Sequence, residues 1–345
     1  MTASNKILCD IEDKPNFLIG GQGNSVDFDE IDKTENLNRI SCFQFKQPPK
    51  NEQLERVIFA IKKRPEIKLR FYGNYSEKLI DWGSLTEIQN LHIDLWETND
   101  LREISKLRNL KKLGITKNVK SKVSLKIIES LQNLEVFYTS ISKDVETISK
   151  LPNLKFLSLS EIKNENLEFL TKLNSLQVLW LSLGSINNFS GLARIENLQK
   201  LHVHQVRGFD SLSINPILES CGQLWALKLD NLKHIINLDF IPNMRKIRYL
   251  SIEGVKNLDT YDPIKKSKTI ETIVGDQCKP IDKSLDGLKK LKGIWLGDSY
   301  HKSAIDDLLK NNEAESIWVR GKTLKGSGKL DNPFDKFLAN ESKLI

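Results

Sequence analysis

The sequence predicts an α/β solenoid, a curved, right-handed superhelix of stacked repeats whose parallel strands line a concave face. Three observations carry that expectation. In Leu176-Gln-Val-Leu-Trp-Leu-Ser-Leu183, leucines at 179, 181 and 183 share one strand face by the period of two, which leaves Val178, Trp180 and Ser182 on the other. Leu176 breaks the period, so the chain turns into the strand there. The spacing then recurs, with anchors at Phe43, Leu69, Leu91, Leu113, Phe137, Leu157, Leu179, Leu201, Leu227, Leu250, Ile273, Ile294 and Ile317, set 20 to 26 residues apart. Repeats this short cannot bury their own apolar face and gain stability by stacking.

Taken in order, residues 1–38 do not follow the repeat and read as an N-terminal cap. Phe17-Leu-Ile19 is a short strand before the turn Gly20-Gly-Gln-Gly23, which lacks the Lys-Ser or Lys-Thr of a phosphate loop. Ile40–Phe45 is the first alternating strand, stopped by Pro48 and Pro49. A helix follows, capped by Asn51, with Leu54, Val57, Ile58 and Ile61 on one face and Pro65 closing it before the strand Ile67–Phe71. The repeat array runs over 39–322. Between strands, Ser124–Leu131, Asn166–Lys172 and Ser213–Ser220 have the length of one or two helical turns on the convex side. Residues 323–345 read as a C-terminal cap. There Asn332-Pro-Phe-Asp-Lys-Phe-Leu338 forms a helical turn with Phe334, Phe337 and Leu338 along one side, either over the end of the array, the favoured placement, which leaves Trp295 and Trp318 open, or folded across those two tryptophans.

The motifs Leu110-Lys-Lys-Leu-Gly-Ile115, Leu154-Lys-Phe-Leu-Ser-Leu159, Leu198-Gln-Lys-Leu-His-Val203 and Leu224-Trp-Ala-Leu-Lys-Leu229 resemble the leucine-rich-repeat superfamily over about residues 39–322. The period is similar to that of its 22-residue bacterial, internalin-like or phosphatase-regulator-like branch. That family places Asn or Cys three residues after the last strand leucine, and only Asn118 and Cys278 match. The other places hold Trp96, Ser142, Ile162, Gly184, Val206, Leu232, Val255 and Ser299, so an irregular variant is expected, with convex loops held by apolar packing. Irregular repeats of this sort are also similar to small intracellular bacterial proteins, some of them proposed as immunity partners of toxins.

Composition bounds the function. Of 345 residues, 39% are hydrophobic and 28% charged, and no run approaches the 18 or so apolar residues of a membrane span. The opening Met-Thr-Ala-Ser-Asn-Lys-Ile-Leu-Cys-Asp lacks a signal-peptide pattern, so a cytoplasmic location is expected. Cys9, Cys42, Cys221 and Cys278 are widely spaced, which suits reduced thiols rather than a zinc site or a disulfide framework. The net charge of +7 raises nucleic acid as an alternative partner. Lysines and acids alternate through most segments, however, and Lys62-Lys-Arg64 and Lys289-Lys290 fall away from the predicted concave face.

The concave row points to a protein partner. Its central outward positions read Gln44, Arg70, His92, Gly114, Tyr138, Ser158, Trp180, His202, Lys228, Ser251, Val274, Trp295 and Trp318, so three of the chain's six tryptophans fall in one row. Aromatics and arginine dominate binding hot spots. The expected contact residues are Tyr138, Phe156, Trp180, His202, His204, Lys228, Tyr249, Trp295, Trp318 and Arg320. Trp180→Ala is expected to weaken partner binding while leaving stability nearly unchanged, and Leu179→Ala to do the reverse. His202, His204 and Asp230 could converge on a metal, but two-residue His spacing is common, and pairing of His with an acidic group is preferred. No catalytic constellation, cofactor motif or small-molecule substrate site is read from the sequence.

Overall fold

The computed structural model describes residues 7–11, 16–19, 22–25, 30–96, 98–116, 123–327 and 332–334. The chain forms two compact units, one built on the residues up to Leu154 and the other on Lys155–Pro333.

In the first unit, the strands are β1 (Ile7–Ile11), β2 (Asn16–Ile19), β3 (Gln22–Ser25), β4 (Ile40–Phe45), β5 (Lys68–Gly73), β6 (Asn90–Leu95), β7 (Lys112–Ile115) and β8 (Val136–Thr139), with helices α1 (Thr34–Leu37) and α2 (Asn51–Lys63). Strands β4 to β8 are parallel and in chain order, and their register sets Phe43, Leu69, Leu91, Leu113 and Phe137 side by side. β1 also pairs in parallel with β4, Cys9 opposite Phe43, so the ladder begins one strand before the first repeat read from the sequence. The hairpin of β2 and β3 runs antiparallel to it. Helix α2 buries Leu54, Val57, Ile58, Ala60 and Ile61. Its cap residue is Lys50 rather than Asn51: the Lys50 backbone N–H donates to Gln53 Oε1 at 3.3 Å.

The second unit contains β9 (Phe156–Ser160), β10 (Lys163–Asn166), β11 (Val178–Ser182), β12 (Ser185–Asn188), β13 (Lys200–His204), β14 (Ala226–Asp230), β15 (Tyr249–Glu253), β16 (Thr272–Asp276), β17 (Gly293–Leu296), β18 (Ser316–Val319) and β19 (Lys322–Lys325). Its helices are α3 (Ser211–Ser220), α4 (Asp262–Lys265) and α5 (Lys302–Lys310), and short 3-10 turns fill most other connections. β9, β11 and β13 to β18 are parallel, with Leu157, Leu179, Leu201, Leu227, Leu250, Ile273, Ile294 and Ile317 in one register. All thirteen anchors are at most 1% exposed. Each such leucine contributes roughly 1.5–3 kcal/mol by leaving water.

In the second unit a left-handed backbone corner, not the family's asparagine, closes six of the strands. Glu161, Leu183, Gln205, Asn231 and Gln277 follow their strands at φ between 46° and 59°, with Gly254 at 63° in the same role. Each of the first four turns its N–H onto the last carbonyl of the next strand, as in Leu183 to His204 at 2.9 Å and Asn231 to Glu253 at 2.8 Å. Leu183 is therefore not the third inward leucine of its strand. It sits at the corner, 48% exposed. Beyond the corners, β10 and β12 pair in parallel, so these loops are held by backbone hydrogen bonds as well as by apolar packing. Cys278 is buried at its place, whereas Asn118 lies outside the described residues.

An asparagine ladder does exist, at the opposite end of the strand. Asn109 donates its side-chain amide to Thr86 O at 2.9 Å, Asn133 to Arg108 O at 3.0 Å and Asn153 to Gln132 O at 2.9 Å. In the second unit, Asn197 reaches Asn174 O at 2.7 Å. Each of these asparagines immediately precedes the leucine that opens a repeat motif.

The sheet ends differently from the expectation. β19 folds back antiparallel on β18 through Arg320 and Gly321, both at positive φ, 52° and 77°, as a two-residue hairpin turn requires. The carbonyl of Pro333 accepts from Lys200 Nζ at 3.0 Å, which places it at β13 and away from β18. Phe334 is buried, while Phe337 and Leu338 lie outside the described residues.

Candidate interaction surface

The alternation that sends Leu179 and Leu181 inward leaves Trp180 facing out, and the parallel register repeats that choice on every strand. In the second unit Ser158, Trp180, His202, Lys228, Ser251, Val274, Trp295 and Trp318 form one row. Small Ser158 gives Trp180 room. Its ring meets Phe156 edge-on at 5.2 Å and His202 edge-on at 5.4 Å. Trp295 and Trp318, at matched register on β17 and β18, stack at 4.8 Å with 22° between their planes. The indole N–H groups of Trp180 and Trp295 are buried and have no hydrogen-bond partner among the described residues.

Charges in this row are answered locally. His204 Nδ1 lies 2.8 Å from Asp230 Oδ2, and His202 Nε2 lies 3.9 Å from the same oxygen. Burial raises the Asp230 carboxyl, but the neighbouring His202 and His204 imidazoles and the Lys228 ammonium outweigh it and hold it below its ordinary value. Burial pushes His202 in the other direction, below its ordinary value, against the pull of Asp230. Lys228 pairs with Glu253 at 2.8 Å. The preferred pairing of histidine with an acid is thus made within the chain. Among the described residues no group of three or more His, Cys, Asp or Glu side chains could hold a metal.

The ten residues singled out from the sequence divide by exposure. Trp180, His202, His204, Lys228, Trp295 and Trp318 are half-buried along the second unit's sheet, and Arg320 is exposed at the β18–β19 turn with its guanidinium on Tyr300 O. Phe156 and Tyr249 are 0% and 5% exposed, so their side chains support the face and offer it no surface. Tyr138 belongs to the first unit, where it lines a small cavity. Trp180 is packed against two rings, a contact that the sequence-based expectation of nearly unchanged stability leaves out.

The first unit carries a polar version of the same row. Gln44 donates to Asp10 Oδ1 at 2.7 Å, Arg70 donates to Gln44 Oε1 at 2.9 Å and to Asp94 Oδ2 at 2.7 Å, and His92 Nε2 lies 3.4 Å from Asp94 Oδ1. Arg70 also covers the Tyr72 ring at 4.6 Å, and Tyr72 meets Trp96 edge-on at 6.2 Å. Trp96 is 47% exposed. In the sequence Trp96 stands where the family's asparagine is missing. Its signal was a tryptophan one residue past a strand end, two residues beyond the outward Asp94.

In-register strands, buried anchors and the turns between them define a leucine-rich-repeat fold. No protein-family model and no curated protein matches it. Among solved structures it is similar to the internalin InlF of Listeria monocytogenes, at TM-score 0.52 and 14% identity over 84% of this chain and 89% of that one. It is also similar to a chain of the Toll–Spätzle complex of Drosophila, at TM-score 0.51 and 12% identity over 97% of this chain. It spans 56% of that longer chain. At such identities the likeness is one of fold. No helix among the described residues is long and apolar enough to cross a membrane.

Proposed function

We propose that the protein is a non-enzymatic interaction module that binds a partner protein through the strand face of its second unit. The observation that carries this reading is the row in which Trp180, His202, Lys228, Trp295 and Trp318 stand half-buried on parallel strands. Large aromatics held by their neighbours lose little freedom on binding, which is what a hot spot needs. Protein is favoured over nucleic acid because Lys228, the cation in that row, is already engaged with Glu253. A phosphate track needs cations free to replace counterions.

The thiols support a non-enzymatic reading. All four cysteines are free and buried, and burial pushes Cys42 and Cys278 up to about 11 and Cys221 to about 12, far from a reactive thiolate. Toxin neutralisation is the sharpest form of the proposal and is carried by the resemblance of the irregular repeats alone. The test is capture of partners from the native cell extract by the full chain and by Trp318→Ala, across a range of salt. A protein retained at high salt by the parent chain and lost by the variant supports the reading. Recovery of nucleic acid, released steeply by salt and indifferent to Trp318, overturns it.

A further inference from the structure

A cationic cleft lies beside the strand face of the second unit. Trp225, Arg245, Lys246, Arg248 and Thr269 line about 420 Å³ of open space, in the size range of ligand sites. The repeat explains its make-up. Trp225 and Arg248 stand two residues before the anchors Leu227 and Leu250, where the chain turns into β14 and β15. Backbone bonds tie them into one row along the edge of the sheet: Trp225 N–H to Gln199 O at 3.0 Å, Arg248 N–H to Trp225 O at 2.9 Å and Glu271 N–H to Arg248 O at 2.9 Å. Arg245, Lys246 and Thr269 come from the connections that enter β15 and β16. Lys200, on the strand face itself, joins the cleft to that face by placing its ammonium over the Trp225 ring, 5.1 Å from the ring centre.

The cleft combines an apolar bed with positive charge at its rim. The half-buried indole of Trp225 and the stems of its basic neighbours supply the bed. Arg245 and Arg248 are exposed, and their guanidinium groups make no ion pair or hydrogen bond among the described residues. Lys246 donates to Gln223 Oε1, a neutral partner. No acid is among the described residues that line the cleft, and Glu271, next in the row, pairs with Lys292 at 3.3 Å instead. The positive charge stays local. Along the row Gln177 and Gln199 come before Trp225, and Glu271, Lys292 and Glu315 come after Arg248. A nucleic-acid strand carries a charge at every nucleotide and needs a longer track. An apolar side chain flanked by carboxylates needs no more than this patch, and guanidinium matches carboxylate in a two-pronged geometry.

We propose that this cleft docks an acidic segment of the partner protein, with an apolar side chain lying on Trp225 and carboxylates pairing with Arg245 and Arg248. The preference for such a segment stands on the cleft's own geometry; its use in partner binding rests on the protein-binding reading of the strand face. The probe is the peptide acetyl-Glu-Phe-Glu-amide, with acetyl-Gln-Phe-Gln-amide and acetyl-Glu-Ala-Glu-amide as controls, added to the full chain labelled with 5-fluorotryptophan. Fluorine NMR follows the six tryptophans, and the Trp225 signal is the one lost in Trp225→Phe. The acidic peptide should shift that signal to saturation and leave those of Trp295 and Trp318 in place. Replacing both exposed arginines, Arg245→Gln with Arg248→Gln, should weaken its affinity about ten-fold, as the loss of two exposed ion pairs implies.

An unmoved Trp225 signal overturns the site. Equal affinity for the Gln peptide overturns the recognition of charge, equal affinity for the Ala peptide overturns Trp225 as the bed, and undiminished affinity in the double variant overturns the two arginines. Tighter binding of hexathymidylate than of the acidic peptide at Trp225 would overturn the acidic segment in favour of nucleic acid. Trp318→Ala should leave the peptide titration intact, so loss of partner capture in that variant and failure of the titration report on separate proposals. Capture by the double variant is compared with that of the parent chain at low salt, where the contribution of exposed charges is largest. Full retention of the partner there would overturn the partner as the source of the acidic segment.

Discussion

Asn133 donates its side-chain amide to the carbonyl of Arg108, one repeat earlier, at 3.0 Å. Asn109 and Asn153 repeat the bond on either side, so each strand's approach is tied to the one before it. Asn133→Ala leaves a backbone acceptor at the surface, where water replaces the bond in part. The expected loss is about 1 kcal/mol, the usual net worth of such a bond. The check is urea unfolding of the variant beside Asn187→Ala, an exposed asparagine outside the ladder, and equal losses in the two would deny the ladder a structural role.

Leu183 holds φ at 57° while its side chain is 48% exposed. An L-residue in that conformation costs roughly 1–2 kcal/mol, a cost that asparagine lowers by local hydrogen bonding. Leu183→Asn is therefore expected to stabilise by about 0.5–1 kcal/mol, against the intuition that a repeat leucine is core. A β-branched valine should do the opposite. The urea midpoint with an unchanged slope measures both, and a lower midpoint for Leu183→Asn would count against the corner geometry.

The anchors were legible because a period of two inside a longer repeat has one reading: alternate residues go inward, and stacking supplies their partners. The same rule exposed the Trp180, Trp295 and Trp318 row. It could not tell that Phe156 is 0% exposed, because burial of an outward side chain depends on the rings beside it, here Trp180. The corners were illegible since Leu183 extends the alternating pattern by one residue and only the backbone turn denies it an inward place. The asparagine ladder was written openly in Asn109-Leu110, Asn133-Leu134, Asn153-Leu154 and Asn197-Leu198, but the resemblance directed attention to the other end of the strand. Pro333 at Lys200 depends on a contact between residues 133 positions apart, which no local pattern encodes.

Two half-buried histidines set an acid limb to stability. Burial lowers His92 and His202 below the ordinary value of 6.5, although Asp94 and Asp230 pull each back, while Lys68 and Arg70 beside His92, and Lys228 and His204 beside His202, push further down. Well above pH 6.5 both states are neutral and these groups contribute no slope. Below it the unfolded chain binds protons that the folded chain refuses, so stability falls with falling pH until the folded values are reached. Asp94 and Asp230, held below 3.8, extend the fall at lower pH because their stabilisation is lost as they protonate. Urea unfolding at a series of pH values should show this decline as pH falls through 6.5 and a shallower one in His202→Gln. An identical slope in that variant would remove His202 from the account.

Trp180 separates packing from hydrogen bonding within the binding row. Its ring touches Phe156 and His202 at 5.2 and 5.4 Å, while its indole N–H is buried with no hydrogen-bond partner among the described residues. A buried donor left without an acceptor costs about 1–3 kcal/mol. Trp180→Phe removes that donor and keeps an aromatic ring between its neighbours, at the loss of some contact area. The two effects oppose each other, and stability is expected to stay within about 1 kcal/mol of the parent. Trp180→Ala has no such offset and should cost about 2–4 kcal/mol, less than a fully buried tryptophan because the site is half open. Guanidinium unfolding of the three chains orders them, and a Trp180→Phe loss as large as that of Trp180→Ala would mean that the indole N–H is satisfied in solution and that ring packing is not what fixes this residue in the row.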